Sequence, residues 1–144
     1  MAETSGTGNL TEAKVIVALI EAGYLVSQPF GDGHKYDLVA DNGQNLYRIQ
    51  CKTGRVRNGV LMFNAYSVPG SKAKKSDYRG LADLFAVLNP VDGKIFLVPV
   101  NEVGTNDVCL RLSPTGNGQA QGIRWAAKYE LRPISVSLAR VTQW

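Results

Sequence analysis

The stretch "YDLVADNGQNLYRIQCKTG" (residues 36–54) decides how this chain folds. Two runs, "YDLVAD" and "NLYRIQCKT", alternate apolar and polar side chains with period two, the pattern of half-buried strands. Between them lies Asn42-Gly43, whose residues tolerate the positive φ of a type I′ turn, so the pair predicts a hairpin. A two-residue loop sets Asp41 against Gln44, Val39 against Leu46 and Asp37 against Arg48. One face then carries Tyr36, Leu38, Ala40, Tyr47, Ile49 and Cys51. The other carries Asp37, Val39, Asp41, Leu46, Arg48, Gln50 and Lys52, with Asp37 diagonal to Gln50 and Lys52 one pleat further on.

Upstream, Ala13, Ile16, Val17 and Ile20 fall at i, i+3, i+4 and i+7, predicting an amphipathic helix. Asn9 is its expected N-cap and Gly23 its stop, which leaves residues 1–8 as a loose tail. Val39 and Leu46 make the Asp37 face partly apolar, and this helix is the expected cover. Glu12, at the edge of the stripe, can bring a second carboxylate to that face. Its alternative reading is a capping-box acid at N3.

"YLVSQPF" reads as a first strand broken by Pro29 and "GDG". Asn58-Gly59 predicts a second hairpin between "GRVR" and "VLMFNAY". After the basic stretch "PGSKAKKSDYRG", "LADLFAVL" and "KIFLVPV" flank the turn "NPVDG", and "VCLRL" suggests an edge strand. "IRWAAKY" suggests a short helix, and "RPISVSLARVTQW" carries no assignable pattern. A helix followed by a meander of strands is a mixed α/β arrangement, with helix covering one face of a mixed, largely antiparallel sheet.

A length of 144 residues fits one domain, 1–144, with residues 105–144 as its extension. Such a chain buries roughly two-thirds of its unfolded surface and needs no disulfide framework to fold. Two cysteines, Cys51 and Cys109, point to a reducing, cytoplasmic setting. No apolar run reaches the roughly 18 residues of a membrane span, and the polar N-terminus "MAETSGTGN" does not read as a signal peptide. The net charge of +4 favours a nucleic-acid partner only slightly.

Asp37, the Gln50 amide oxygen and Glu12 are hard oxygen donors of the kind Mg²⁺ takes. A metal there would polarise a phosphodiester and acidify a bound water, while Lys52 would orient that water or stabilise charge on phosphate oxygens. Glu12, "YDLV" and "QCK" together resemble the PD-(D/E)XK nuclease superfamily, and within it the small group I intron homing endonucleases whose last motif carries Gln in place of an acid. The likeness runs over residues 8–100, from "GNLTEAKVIVALIEAGYLV" to "DLFAVLNPVDGKIFLVPV", and fades beyond 105. It implies a restriction-endonuclease-like core, with Glu12, Asp37, Gln50 and Lys52 as the catalytic set and Glu12, Asp37 and Gln50 as metal ligands. It also implies Mg²⁺, with Mn²⁺ as substitute, double-stranded DNA as substrate, and homo-oligomers that pair two active sites. Tyr36 stands where the motif name has Pro.

Two other readings share the core: a Holliday-junction resolvase-like nuclease, which the Gln of "QCK" disfavours, and an inactive DNA-binding module. Arg55 and Arg57 on the second hairpin are candidate DNA contacts, as are Lys72, Lys74, Lys75 and Arg79 around the basic stretch. His34, alone in a Gly-rich loop, reads as a solvated or DNA-contacting side chain rather than a base. Asp32 and Asp41 read as turn residues, and Asp83 as a secondary candidate at most.

Overall fold

The computed structural model describes residues 2–67, 76–114, 117–118 and 121–134. Helix α1 (Ala2–Glu21) is followed by β1 (Leu25–Ser27), β2 (Leu38–Asp41), β3 (Leu46–Thr53), β4 (Arg55–Arg57) and β5 (Val60–Asn64). Then come β6 (Tyr66–Ser67), β7 (Ser76–Asp77), β8 (Leu84–Leu88), β9 (Ile95–Pro99) and β10 (Asp107–Arg111). Short 3-10 turns occupy Val100–Glu102 and Ala126–Lys128, the latter within the expected short helix. The main sheet has the order β1-β2-β3-β8-β9, a second has β10-β5-β4, and β6 and β7 form a small ribbon.

The expected mixed α/β fold is present, and the hairpin forms with a different loop. Asp41 pairs with Leu46, Val39 with Arg48 and Leu38 with Ile49, so the loop is the four residues 42–45. Asp41 Oδ1 accepts from the Gly43 amide at 2.7 Å, and Asn42 Oδ1 accepts from Gln44 and Asn45 at 2.9 and 2.8 Å. These side-chain acceptors replace the type I′ turn, which Asn42 does not adopt: Asn58 is the one non-glycine with positive φ among the described residues. A shift of two leaves strand parity intact, so both faces keep their predicted membership.

What covers each face differs from expectation. Helix α1 lies on the Leu38, Ala40 and Ile49 face, where Val15 and Leu19 complete a core with Ala86, Leu88 and Ile95. The Gln50 and Lys52 face lies instead on the side of Phe85, Val87, Leu61, Phe63 and Tyr78. The helix is also rotated: Thr11, Val15 and Leu19 are buried, whereas Val17 and Ile20 are each 56% exposed. Val, Leu and Ile recur so densely in "KVIVALI" that two stripes of helical period coexist, and only packing chooses between them. The N-terminal end differs too, because α1 runs back to Ala2 through Gly6 and Gly8 and absorbs the expected tail and N-cap. Gly23, at φ 101°, ends it as predicted.

The meander is broken at one point. β3 pairs with β8 in parallel, Gln50 beside Phe85 and Lys52 beside Val87. The crossover is made by β4 to β7, which enter the second sheet and the ribbon. Gly54 makes that exit possible: its amide donates to the Leu88 carbonyl at 2.8 Å, and a Cβ there would collide with the Leu61 side chain. Asn58-Gly59 does form the two-residue loop between β4 and β5, with φ of 51° and 75°. The apolar strands β8 and β9 go into the protein's own core through Phe85, Val87, Phe96 and Val98. Residues beyond 105 belong to the same core, with Val108, Leu110, Ala126 and Tyr129 buried in it. Among the described residues no helix is long and apolar enough to cross a membrane.

Candidate active site

The corrected register moves Asp37 from diagonal to directly opposite Gln50, one step past the Leu38–Ile49 pair. The Asp37 amide donates to the Ile49 carbonyl at 2.8 Å, and Asp37 Oδ2 accepts from the Cys51 amide at 2.9 Å. Arg48, the alternative partner, turns away to Asp83: Nη2 lies 3.0 Å from Oδ1, and Nε and the Arg48 amide both donate to Oδ2. Asp83 is thereby a clamp between β3 and β8. Burial pushes the Asp37 carboxyl above its ordinary value, opposed by the Cys51 amide and the Lys52 charge. A desolvated carboxylate with one backbone donor is a group whose anion a cation would stabilise.

Glu12 comes from the other side of the sheet edge. It lines a cleft of about 350 Å³ together with Asp37, Gln28, His34 and Tyr36. Gln28 Nε2 donates to Glu12 Oε1 at 2.9 Å. With α1 starting at Ala2, Glu12 lies mid-helix and has no capping role. Beside it the buried Thr11 shares a 2.6 Å hydrogen bond with Thr53, which fixes this turn of helix to the end of β3. The Cys51 thiol is pushed up by burial and then by the charges of Asp37 and Glu12, placing both carboxylates around one point of β3.

Gln50 Nε2 donates to its neighbour's carbonyl, Cys51 O, at 3.4 Å, and among the described residues nothing donates to its Oε1. Two carboxylates and an amide oxygen fit a hard cation. No three His, Cys, Asp or Glu side chains converge among the described residues, so any metal here depends on Gln50 and water for the rest of its shell. His34 hydrogen-bonds the Phe30 carbonyl at 2.8 Å and stays exposed.

Lys52 sits on the opposite flank of Gln50. Its Nζ donates to the Tyr66 carbonyl at 2.9 Å and the Tyr78 hydroxyl at 3.2 Å, and lies 4.8 Å from the Tyr78 ring centre. Burial pulls its pKa down to about 8; Asp37 opposes this, and the charge of Lys35 adds to it. An acidic residue, a Gln and a lysine of lowered pKa thus occupy one strand pair beside a carboxylate-lined cleft.

The sequence matches the family model described as PD-(D/E)XK endonuclease over residues 2–132. The chain belongs to the PD-(D/E)XK endonuclease family. The match extends past residue 105, where the sequence resemblance faded, and takes in β10 and the Tyr129 turn, whose side chains are buried in this chain's core. Among solved structures, the bacterial homing endonuclease I-Ssp6803I shares the fold, with a TM-score of 0.70, 19% identity and 88% of each chain covered. A search of curated proteins returned no match.

Within this PD-(D/E)XK endonuclease fold, the remaining candidates separate. Arg55 and Arg57 are exposed on the edge strand β4, with Arg55 Nη2 3.3 Å from Asn64 Oδ1. Arg79 is exposed and bonded to Asp77 at 3.1 Å, a surface pair too weak to withhold it from an anion. Lys72, Lys74 and Lys75 lie outside the described residues, as do 135–144, most of the unassigned final stretch. Lys35 and Tyr78 are additions. Lys35 lies two residues before Asp37, upstream of β2, where strand alternation does not reach. Tyr78 carried no local signal, because it reaches Lys52 from 26 residues away.

Proposed function

We propose that the chain is a metal-dependent, site-specific double-stranded DNA endonuclease of the homing type. The observation that carries this reading is the half-buried Asp37 carboxylate, facing Gln50 and electrostatically coupled to Lys52, within a PD-(D/E)XK endonuclease core. Glu12, Asp37 and Gln50 would hold Mg²⁺, or Mn²⁺ in its place. When bound, the ion acidifies a coordinated water and polarises the phosphodiester. Lys52, protonated below about pH 8, neutralises charge that develops on the phosphate oxygens as one P–O ester bond breaks. Tyr78 and the Tyr66 carbonyl keep that ammonium from swinging into solvent. Hydrolysis leaves a phosphomonoester and a hydroxyl.

Arg55 and Arg57, exposed on β4 at the edge of the three-stranded β10-β5-β4 sheet, are the proposed base-reading side chains. Lys72, Lys74, Lys75 and Arg79 are the proposed backbone contacts. Cutting both strands takes two sites, so we assign the protein to a homo-oligomer. The exposed Leu10, Val17 and Ile20 of α1 support self-association.

The test is incubation with Mg²⁺ and genomic DNA of the source organism, with sequencing of the new ends and Asp37→Asn as control. Asp37-dependent ends at one or a few long sites are expected. Ends at branched substrates alone would favour the resolvase-like reading, and DNA binding without any Asp37-dependent ends would leave an inactive module.

A further inference from the structure

Beyond the motif residues, the site holds a second ammonium. Lys35 Nζ donates to Ser67 Oγ at 3.1 Å and to Ser76 Oγ at 3.2 Å, the two serines facing each other across the β6–β7 ribbon. The Tyr78 hydroxyl accepts from Lys52 at 3.2 Å. The two ammoniums lie 5.7 and 4.8 Å from the centre of the same Tyr78 ring. Among the described residues neither makes a salt bridge.

Two ammoniums held against one tyrosine ring repel each other. Such an arrangement is stabilised by an anion with more than one acceptor oxygen. On the ribbon side of this arrangement, Ser67 and Ser76 both contact Lys35. Serine hydroxyls there can turn to donate to the anion.

We propose that Lys35, with Ser67 and Ser76, forms a second phosphate-binding site beside Lys52, taking a phosphodiester of the bound DNA strand. This rests on the nuclease reading and adds a residue that the family motif does not contain. The site acts on backbone charge and so is blind to base sequence. Lys35 also ties the segment that carries Asp37 to the ribbon that carries Tyr78. Filling the site would draw both flanks onto one strand of substrate.

The test measures duplex binding of wild type, Lys35→Met and Lys35→Arg against salt concentration, without divalent metal so that nothing is cut. Lys35→Met is expected to weaken binding to any duplex by about tenfold and to reduce the slope of log K against log salt by about one. Lys35→Arg should restore both. An unchanged slope in Lys35→Met overturns the proposal even where wild type cleaves DNA. A wild type that binds but never cuts sinks the nuclease reading while the slope still decides Lys35. Should Lys35→Met fail to fold, acylation of wild-type lysines with and without duplex, read by mass spectrometry, replaces it. Protection of Lys35 by DNA supports the site, and equal labelling overturns it.

Discussion

On one flank of Gln50 two carboxylates, Glu12 and Asp37, line an open cleft; on the other, two ammoniums, Lys35 and Lys52, lie against the one ring of Tyr78. Asp37 has its carboxyl pushed up and Lys52 its ammonium pulled down, in both cases chiefly by burial. Each flank partly strips its working group of water, which disfavours the charged form. On the proposed function, a metal ion beside Asp37 and a phosphodiester beside Lys52 would restore that stabilisation. The flanks also differ in origin: helix α1 and the β2–β3 hairpin make the carboxylate flank, whereas the ammonium flank needs the chain to return at β6, β7 and Tyr78.

The largest effect expected breaks either flank outright. Asp37→Asn and Lys52→Ala should each reduce single-turnover cleavage on the order of 10³-fold while DNA affinity stays within a few-fold. Normal cutting by either variant would remove that residue from the mechanism.

A pH profile separates the flanks without mutation. Lys52 loses its proton near pH 8, so kcat/KM should fall about tenfold per unit above that point if the protonated form is needed. Asp37 must be ionised, and its carboxyl is raised, so activity should be lost as pH falls through a value above the ordinary carboxylate range. A rate that climbs through pH 8 would instead identify the neutral Lys52 amine as the proton acceptor.

A smaller effect tests how the carboxylate flank is held. Thr11→Val leaves Thr53 without its 2.6 Å partner and should cost about 1–2 kcal/mol in denaturant unfolding. Because Glu12 is the next residue, cleavage should fall more than stability alone explains. Cleavage that simply tracks the folded fraction would show that Glu12 needs no such anchor.

Smallest is the outer contact surface. Neutralising Arg55 and Arg57 should weaken binding several-fold, with a loss of preference between sites that exceeds the loss of general affinity. Uniform weakening across all sequences would make them phosphate contacts, akin to the ammonium flank.

The two Asn-Gly hairpins show how far the sequence could be read. Asn58-Gly59 adopts the two-residue turn its residues favour, while at Asn42-Gly43 the side chains of Asp41 and Asn42 capture loop amides and lengthen the loop by two. The error is invisible to alternation, because a shift of two preserves parity, and so the face containing Asp37, Gln50 and Lys52 was legible despite it. Periodicity likewise found α1 but not its buried side, since Val15 with Leu19 and Val17 with Ile20 are equally apolar pairs.

By itself, then, the sequence determined the strand pair, its two faces and the residue types on the polar one, because these depend on spacing along a single extended run. Only the tertiary structure decided that α1 covers the opposite face, that Arg48 belongs to Asp83, and that the Tyr78 ring brings Lys35 and Lys52 to one place. Those outcomes come from contacts between segments 26 to 42 residues apart, as in the pairs Lys52–Tyr78, Arg48–Asp83 and Thr11–Thr53. No local propensity encodes such pairings; they are selected by which packing buries the most apolar surface while leaving polar groups satisfied.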